Sequence, residues 1–158
     1  MAYTISVREN VTLVVLGPLS SDLDAVASVF EDMAAAGVNV DMISQSPPQG
    51  GATHLSFTTA DEDLEKTLEI IARLRKANPA IKSAVSSGNH KLTVYGDAMR
   101  SQPGVAATVL RAAASAMADI RLVTTSEVDI SLLLTPASAD DAAQAVRSAL
   151  DRLNESNA

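Results

Sequence analysis

The fold is decided by Val40-Asp41-Met42-Ile43-Ser44-Gln45-Ser46, which aligns without a gap on Ile120-Arg121-Leu122-Val123-Thr124-Thr125-Ser126, 80 positions later. Both stretches begin by alternating apolar and polar side chains, which is typical of a β-strand with one buried face. The same offset superposes residues 26–30 on residues 106–110, where apolar side chains recur at helical spacing. The chain therefore contains two copies of one small module.

Each copy predicts the element order β-α-β-β-α. In the first copy we expect strands at 11–16, 38–43 and 52–58, a helix around 26–33, and a helix that begins with a capping-box pattern at Thr59 and Glu62. In the second copy we expect strands at 92–95, 120–125 and 128–134, and helices over 105–112 and from about Ser138. The two copies thus predict the same succession of elements.

The last strand of each module comes from a different place in the sequence. The first copy continues into residues 80–85, which complete a β-α-β-β-α-β pattern, but the second copy has no such continuation. A spare strand, Tyr3-Thr4-Ile5-Ser6-Val7, precedes the first copy, and we expect it to complete the second sheet. The prediction is an α+β chain of two ferredoxin-like βαββαβ modules: residues 10–87, and residues 2–9 plus 88–154, with a linker at 86–89.

Composition limits the classes of function. The formal charge of −7 and the lack of clustered Lys and Arg argue against binding to nucleic acid or anionic lipid. No apolar run is long enough to span a membrane, no signal peptide is recognisable, and the absence of cysteine fits the cytoplasm, which is the expected location. His54 and His90 are isolated and no cofactor-binding motif is present, so we expect neither a metal nor a cofactor.

Two loops of the second copy have residues suited to binding a small molecule. The loop Gly96 to Gly104 leads into a helix, whose N-terminal amides attract anions, and Thr124-Thr125-Ser126-Glu127 combines hydroxyls with a carboxylate that could hold an ammonium group. Both patterns are also common in purely structural turns, so that alternative stays open. The corresponding first-copy loop, Ser21-Asp22-Leu23-Asp24, carries carboxylates that would repel an anion.

The residues from Leu92 to Leu134 resemble the ACT domain at the C-terminal end of aspartokinase. The resemblance rests on Gly96, Met99-Arg100-Ser101, Pro103-Gly104-Val105 and above all Thr124-Thr125-Ser126-Glu127-Val128-Asp129-Ile130-Ser131-Leu132-Leu133. Val38-Asn39-Val40-Asp41-Met42-Ile43 is similar to a strand of the first ACT domain of the same family. The resemblance extends over nearly the whole chain and implies a regulatory region of tandem ACT domains.

The resemblance implies an allosteric module that binds an amino acid, with lysine or threonine as the first candidates, in feedback control of lysine, threonine and methionine biosynthesis. The aspartokinase catalytic domain is absent, so the chain itself is not expected to be an enzyme. Partners implied by the family are a second copy, through ACT–ACT packing, and an aspartokinase catalytic chain. The family's effector contacts fall on Met99, Gln102, Ile120, Ser126, Glu127 and, in the first copy, Gln45, with Glu127 or Ser126 holding the ligand's amine.

The alternative is a module for dimerisation or assembly that has lost effector binding. It is favoured by the departure at Ser21-Asp22-Leu23-Asp24, where the family usually has Asp-x-Pro-Gly.

Overall fold

The computed structural model describes residues 3–156, which divide into two compact units. The first module runs from Asn10 to Gly88, and the second combines the residues up to Glu9 with those from Asn89 onward. Strand β1 (Thr4–Ser20) and strand β4 (Lys82–Tyr95) each contribute residues to both modules. None of the helices within residues 3–156 is long and apolar enough to cross a membrane.

The first module places two helices on one face of a four-stranded sheet. Its other elements are α1 (Leu23–Ala35), β2 (Ile43–Gln45), β3 (Ala52–Ala60) and α2 (Leu64–Ala77), and its strand order is β2-β3-β1-β4. Alternate side chains of β1 and β3 point at the helices, because successive side chains of a strand face opposite sides. The resulting apolar core includes the fully buried side chains of Val14, Leu16, Met33, Leu55, Phe57 and Ile70.

The second module repeats this plan with a strand from the N-terminus. Its other elements are α3 (Val105–Ser115), β5 (Ile120–Thr125), β6 (Asp129–Leu134) and α4 (Pro136–Ser156), and its strand order is β1-β4-β6-β5. Tyr3 packs into the same core as Leu92, Val109 and Leu132 and is only 5% exposed. The predicted fold, two ferredoxin-like modules with the second completed by the N-terminal strand, is confirmed.

The predicted linker at residues 86–89 is part of the continuous strand β4 and not a loop, although the boundary between the modules does fall there, between Gly88 and Asn89. The Asp61 carboxylate holds this part of the strand by accepting hydrogen bonds from the Gly88 N–H (2.9 Å) and the Thr12 hydroxyl (2.6 Å). Gly88 has a φ of 73°, a conformation that a glycine adopts without steric cost. Residues 86–89 therefore form part of a strand although they are small and polar, since Asp61, 27 positions before Gly88, accepts the hydrogen bond of the Gly88 N–H.

Two other local predictions also fail in the first module. Thr59 does not cap a helix: it belongs to β3, opposite Thr12 of β1, and α2 begins only at Leu64 after a 3₁₀ turn at Asp61–Asp63. The predicted strand at 38–43 is reduced to β2, which begins at Ile43. The pairing before β2 is irregular, because the Thr58 backbone bonds two successive residues: its carbonyl accepts from the Asp41 N–H and its N–H donates to the Met42 carbonyl (3.0 Å each). The Met42 N–H donates instead to the Thr58 hydroxyl (3.0 Å).

We predict that Tyr3→Ala lowers the free energy of unfolding by about 3 kcal/mol, because it leaves a cavity in the core of the second module. Urea denaturation followed by circular dichroism measures the change. Tyr95→Ala is the matched control, since Tyr95 is 46% exposed, and it should cost less than about 1 kcal/mol. Equal losses in the two variants would contradict the N-terminal strand's role in this core.

Candidate functional site

A cavity of about 330 Å³ opens where two loops of the second module meet. One loop joins β4 to α3, and the other is the turn between β5 and β6. The Gly96 N–H donates to the Val128 carbonyl (2.8 Å) and thereby ties the two loops together. The residues that line the cavity are Met99, Arg100, Gln102, Gly104, Val105, Ala106, Ser126 and Glu127.

The N-terminus of α3 forms one wall of the cavity. Gly104 stands at the N-cap position with a φ of 93°, and no side chain caps the helix there. Its carbonyl accepts the first helical hydrogen bond, from the Thr108 N–H (2.9 Å). Because the first amides of a helix have no partner within the helix, the amides of Val105 and Ala106 are suited to receive an anion.

Gln102 is held by a residue from the N-terminal strand. The Tyr3 hydroxyl donates to Gln102 Oε1, whereas Gln102 Nε2 is buried and has no hydrogen-bond partner among the described residues. Burial raises the pKa of the Tyr3 phenol, so this donor stays protonated at neutral pH. The oxygen of the Gln102 side-chain amide is therefore held by the protein, whereas its amino group is a buried donor that lacks a partner among the described residues.

The Ser126 hydroxyl is already occupied by the β5–β6 turn. It donates to Asp129 Oδ2 (2.6 Å) and accepts from the N–H groups of Val128 and Asp129 (3.2 Å each). A hydroxyl has one proton to donate and two lone pairs, so these three contacts use its whole capacity. Ser126 shapes the turn that presents the neighbouring Glu127.

Glu127 carries the negative charge of the cavity and Arg100 the positive charge. The two side chains form an ion pair, although they are 76% and 57% exposed. Among residues 3–156, no other charged side chain lines the cavity. The site is therefore polar and electrically balanced, as a zwitterionic ligand requires.

Four of the six residues predicted from the sequence, Met99, Gln102, Ser126 and Glu127, come together at this cavity. Ile120 does not line it: it begins β5, pairs with Leu134 and packs against the module's core. Ser126 follows Ile120 by six positions of extended chain, which correspond to about 20 Å. Gln45 lies exposed at the end of β2 in the first module.

Sequence reasoning pointed to the N-terminal amides of α3 but missed Tyr3 as part of the site. The contact between Tyr3 and Gln102 joins positions 99 apart and has no local sequence signal. Gly104 was a usable signal, because a glycine at a helix start leaves the first amides uncapped and accessible. Arg100 belongs to the quoted motif Met99-Arg100-Ser101, but its partner could not be read from that motif.

The corresponding loop of the first module is filled by its own carboxylates. Asp22 caps α1 and accepts a hydrogen bond from the Asp24 N–H (3.2 Å). The position equivalent to Glu127 is Pro47, which offers no charge for an amine. Ser46 does repeat the structural role of Ser126, since its hydroxyl accepts from the His54 N–H (2.9 Å). A serine that accepts a backbone hydrogen bond thus recurs in the first module, but in a longer loop and without the charges of the cavity.

A second, shallower groove of about 710 Å³ lies between α3 and α4. It is lined mainly by Ala, Ser and Thr, with Arg111 and Arg152 as its charged residues. The described residues that line this groove include two cations but no carboxylate for an amine, so the cavity at Glu127 is the better candidate for an amino acid.

Comparison with known proteins places this architecture in a family. Residues 92–150, which contain the whole cavity, match the model of the ACT domain. The aspartokinase of Geobacillus stearothermophilus is 32% identical over 130 residues, which are 82% of this chain and 31% of that protein. Aspartokinase 2 of Bacillus subtilis is 31% identical over 147 residues, 93% of this chain and 35% of that protein. The chain spans about a third of the length of these relatives.

Solved structures extend the likeness to nearly the whole chain. The regulatory subunit of aspartate kinase from Thermus thermophilus, in its ligand-free form, superposes with a TM-score of 0.85 at 27% identity and covers 94% of this chain and 99% of its own. The aspartate kinase of Synechocystis gives the same TM-score at 26% identity, but only 26% of that protein is matched. The chain therefore contains an ACT domain and is similar, over nearly its whole length, to the regulatory part of aspartokinases.

Proposed function

We propose that this chain binds a free amino acid in the cavity of its second module and uses the binding to control an aspartokinase. The observation that carries the proposal is the cavity itself, where a carboxylate, an uncapped helix N-terminus and an unpaired amide meet. Its volume of about 330 Å³ is at the lower end for small-molecule sites, which favours a ligand of amino-acid size over a nucleotide.

The two charges of an amino acid have separate partners in this cavity. Glu127 accepts hydrogen bonds from the ammonium group, because a carboxylate is the strongest acceptor among the lining residues. The amides of Val105 and Ala106 receive the carboxylate at the positive end of the α3 dipole. Of the two residues considered for the amine, Glu127 is preferred, since the Ser126 hydroxyl has no remaining capacity.

Met99 and Gln102 are placed to read the ligand's side chain. Met99 offers an adaptable apolar surface, and Gln102 Nε2 offers a donor that otherwise stays unpaired. An effector with an acceptor oxygen or an apolar stem satisfies these contacts. Lysine and threonine, the effectors implied by the family resemblance, are the first candidates, and lysine, threonine and methionine biosynthesis is the pathway that we expect to be controlled.

Control of activity requires a partner that carries the kinase domain. The similar protein from Thermus thermophilus is described as a regulatory subunit of aspartate kinase, which supports association of this chain with a catalytic chain. An effector that prefers one arrangement of the subunits shifts the equilibrium toward it by the difference in its affinities. A homodimer through ACT–ACT packing is supported by the edge strand β2, where Ile43 is 49% exposed.

Assembly without effector binding is the second candidate function, and it applies best to the first module. Asp22 already occupies the α1 N-terminus, and Pro47 replaces the carboxylate that would hold an amine. We therefore propose that Gln45 belongs to a weak or unused effector site, while the sheet edge of that module serves in assembly.

We predict that at least one of lysine, threonine and methionine raises the melting temperature of the chain, because a ligand that binds only the folded state stabilises it. Glu127→Gln should weaken that binding by about tenfold or more, since a charge-assisted hydrogen bond is lost. Thermal shift over the twenty amino acids, followed by calorimetric titration, measures both effects.

Glu155→Gln is the control for this substitution, because Glu155 is an exposed carboxylate on α4 outside the cavity. If all twenty amino acids leave the melting temperature unchanged, the chain has an assembly function instead. Binding that is equally strong in Glu127→Gln would exclude this cavity as the site.

Ser126→Ala should lower the free energy of unfolding by about 1 kcal/mol, because the turn loses three hydrogen bonds that water only partly replaces. Ser148→Ala on the exposed surface of α4 should leave stability within about 0.5 kcal/mol. Urea denaturation compares the two. A Ser126→Ala variant that is fully stable but no longer binds would assign the hydroxyl to the ligand.

A further inference from the structure

We propose that Arg100 is an internal competitor of the effector. Its guanidinium pairs with Glu127, the group that the proposed function offers to the effector's ammonium, and it has to leave before an amino acid binds there. This inference rests on the proposed function and adds a residue that sets both affinity and selectivity.

The ion pair spans the two loops that form the cavity. Arg100 ends the 3₁₀ turn Asp97–Arg100, whereas Glu127 follows β5, 27 positions later. Both side chains line the cavity, so their contact lies where a ligand would enter. In the free protein a cation therefore already lies on Glu127, the one carboxylate that the described part of the chain contributes to the cavity.

Arg100 competes effectively only with ligands that have an ammonium group but no carboxylate. Both partners of the pair are more than half exposed, and ion pairs in contact with water are weak, so displacement is inexpensive for a ligand with additional contacts. An amino acid brings a carboxylate for the α3 N-terminus as well as its ammonium group. A simple amine brings only the ammonium and gains too little to replace the guanidinium. Arg100 thus selects for ligands that carry both charges.

Calorimetric titration of the full chain with lysine, threonine and methionine tests the proposal. Arg100→Gln should bind the effector more tightly, by up to about fivefold, because the competing ion pair is gone. The same variant should also acquire measurable binding of cadaverine, which is lysine without its carboxylate. Arg100→Lys keeps a cation beside Glu127 and should stay close to the wild type.

Arg121→Gln is the matched control. Arg121 forms an ion pair with Asp119 at 2.9 Å in the same module, with both side chains about half exposed (50% and 54%) and outside the cavity. This variant should bind as the wild type does, although it has lost the same charge and a similar contact.

The outcomes separate the inference from the function on which it rests. Unchanged or weaker effector binding in Arg100→Gln overturns the inference alone, and weaker binding would mean that Arg100 holds the effector's carboxylate. Tighter binding in both Arg100→Gln and Arg121→Gln also overturns it, because the effect would then come from net charge. A wild-type chain that binds none of the twenty amino acids overturns the proposed function and the inference together.

Discussion

The structure depends on burying the apolar faces of the two helices of the second module. The segment from Asn89 onward supplies only three of the four strands that this burial needs. Helices α3 and α4 need a four-stranded sheet to cover their apolar side chains, and the first residues of β1 provide the missing strand. Tyr3 completes the core and at the same time fixes Gln102 at the cavity. The same long-range packing therefore stabilises the second module and shapes its binding site.

The succession of strands and helices follows from patterns that act over a few residues. Alternation in residues 120–125 and helical spacing in residues 105–112 each reflect one buried face, so the observed β5 and α3 agree with prediction. The failures at Thr59, at Met42 and at residues 86–89 share another cause. In each case the local pattern is overridden by a partner far along the chain: Thr12, Thr58 or Asp61.

The site follows the same division between local and long-range information. Residues of the loops around Met99 and Glu127 could be named in advance because loop chemistry and family resemblance pointed to them. What the sequence could not supply is which hydrogen bonds are already made. From the sequence, Ser126 and Glu127 are equally good candidates for binding an amine. In the structure the Ser126 hydroxyl donates its proton to Asp129, whereas the Glu127 carboxylate pairs with the exposed guanidinium of Arg100. Which polar groups already have hydrogen-bond partners depends on the fold, and this difference makes Glu127, and not Ser126, the candidate for binding the amine.

Charge at the start of one helix distinguishes the two modules. In the first module Asp22 places a carboxylate on the α1 N-terminus, and this internal anion satisfies the dipole that would otherwise attract a ligand. In the second module Gly104 leaves the same position open, and the negative charge moves across the cavity to Glu127. A carboxylate at the helix start occupies the place of a ligand's anion. A carboxylate on the other side of the cavity instead gives the site one negative end and, at the helix N-terminus, one positive end. The two modules thus share one fold but differ at this loop, because the carboxylate lies at the helix start in the first module and across the cavity in the second.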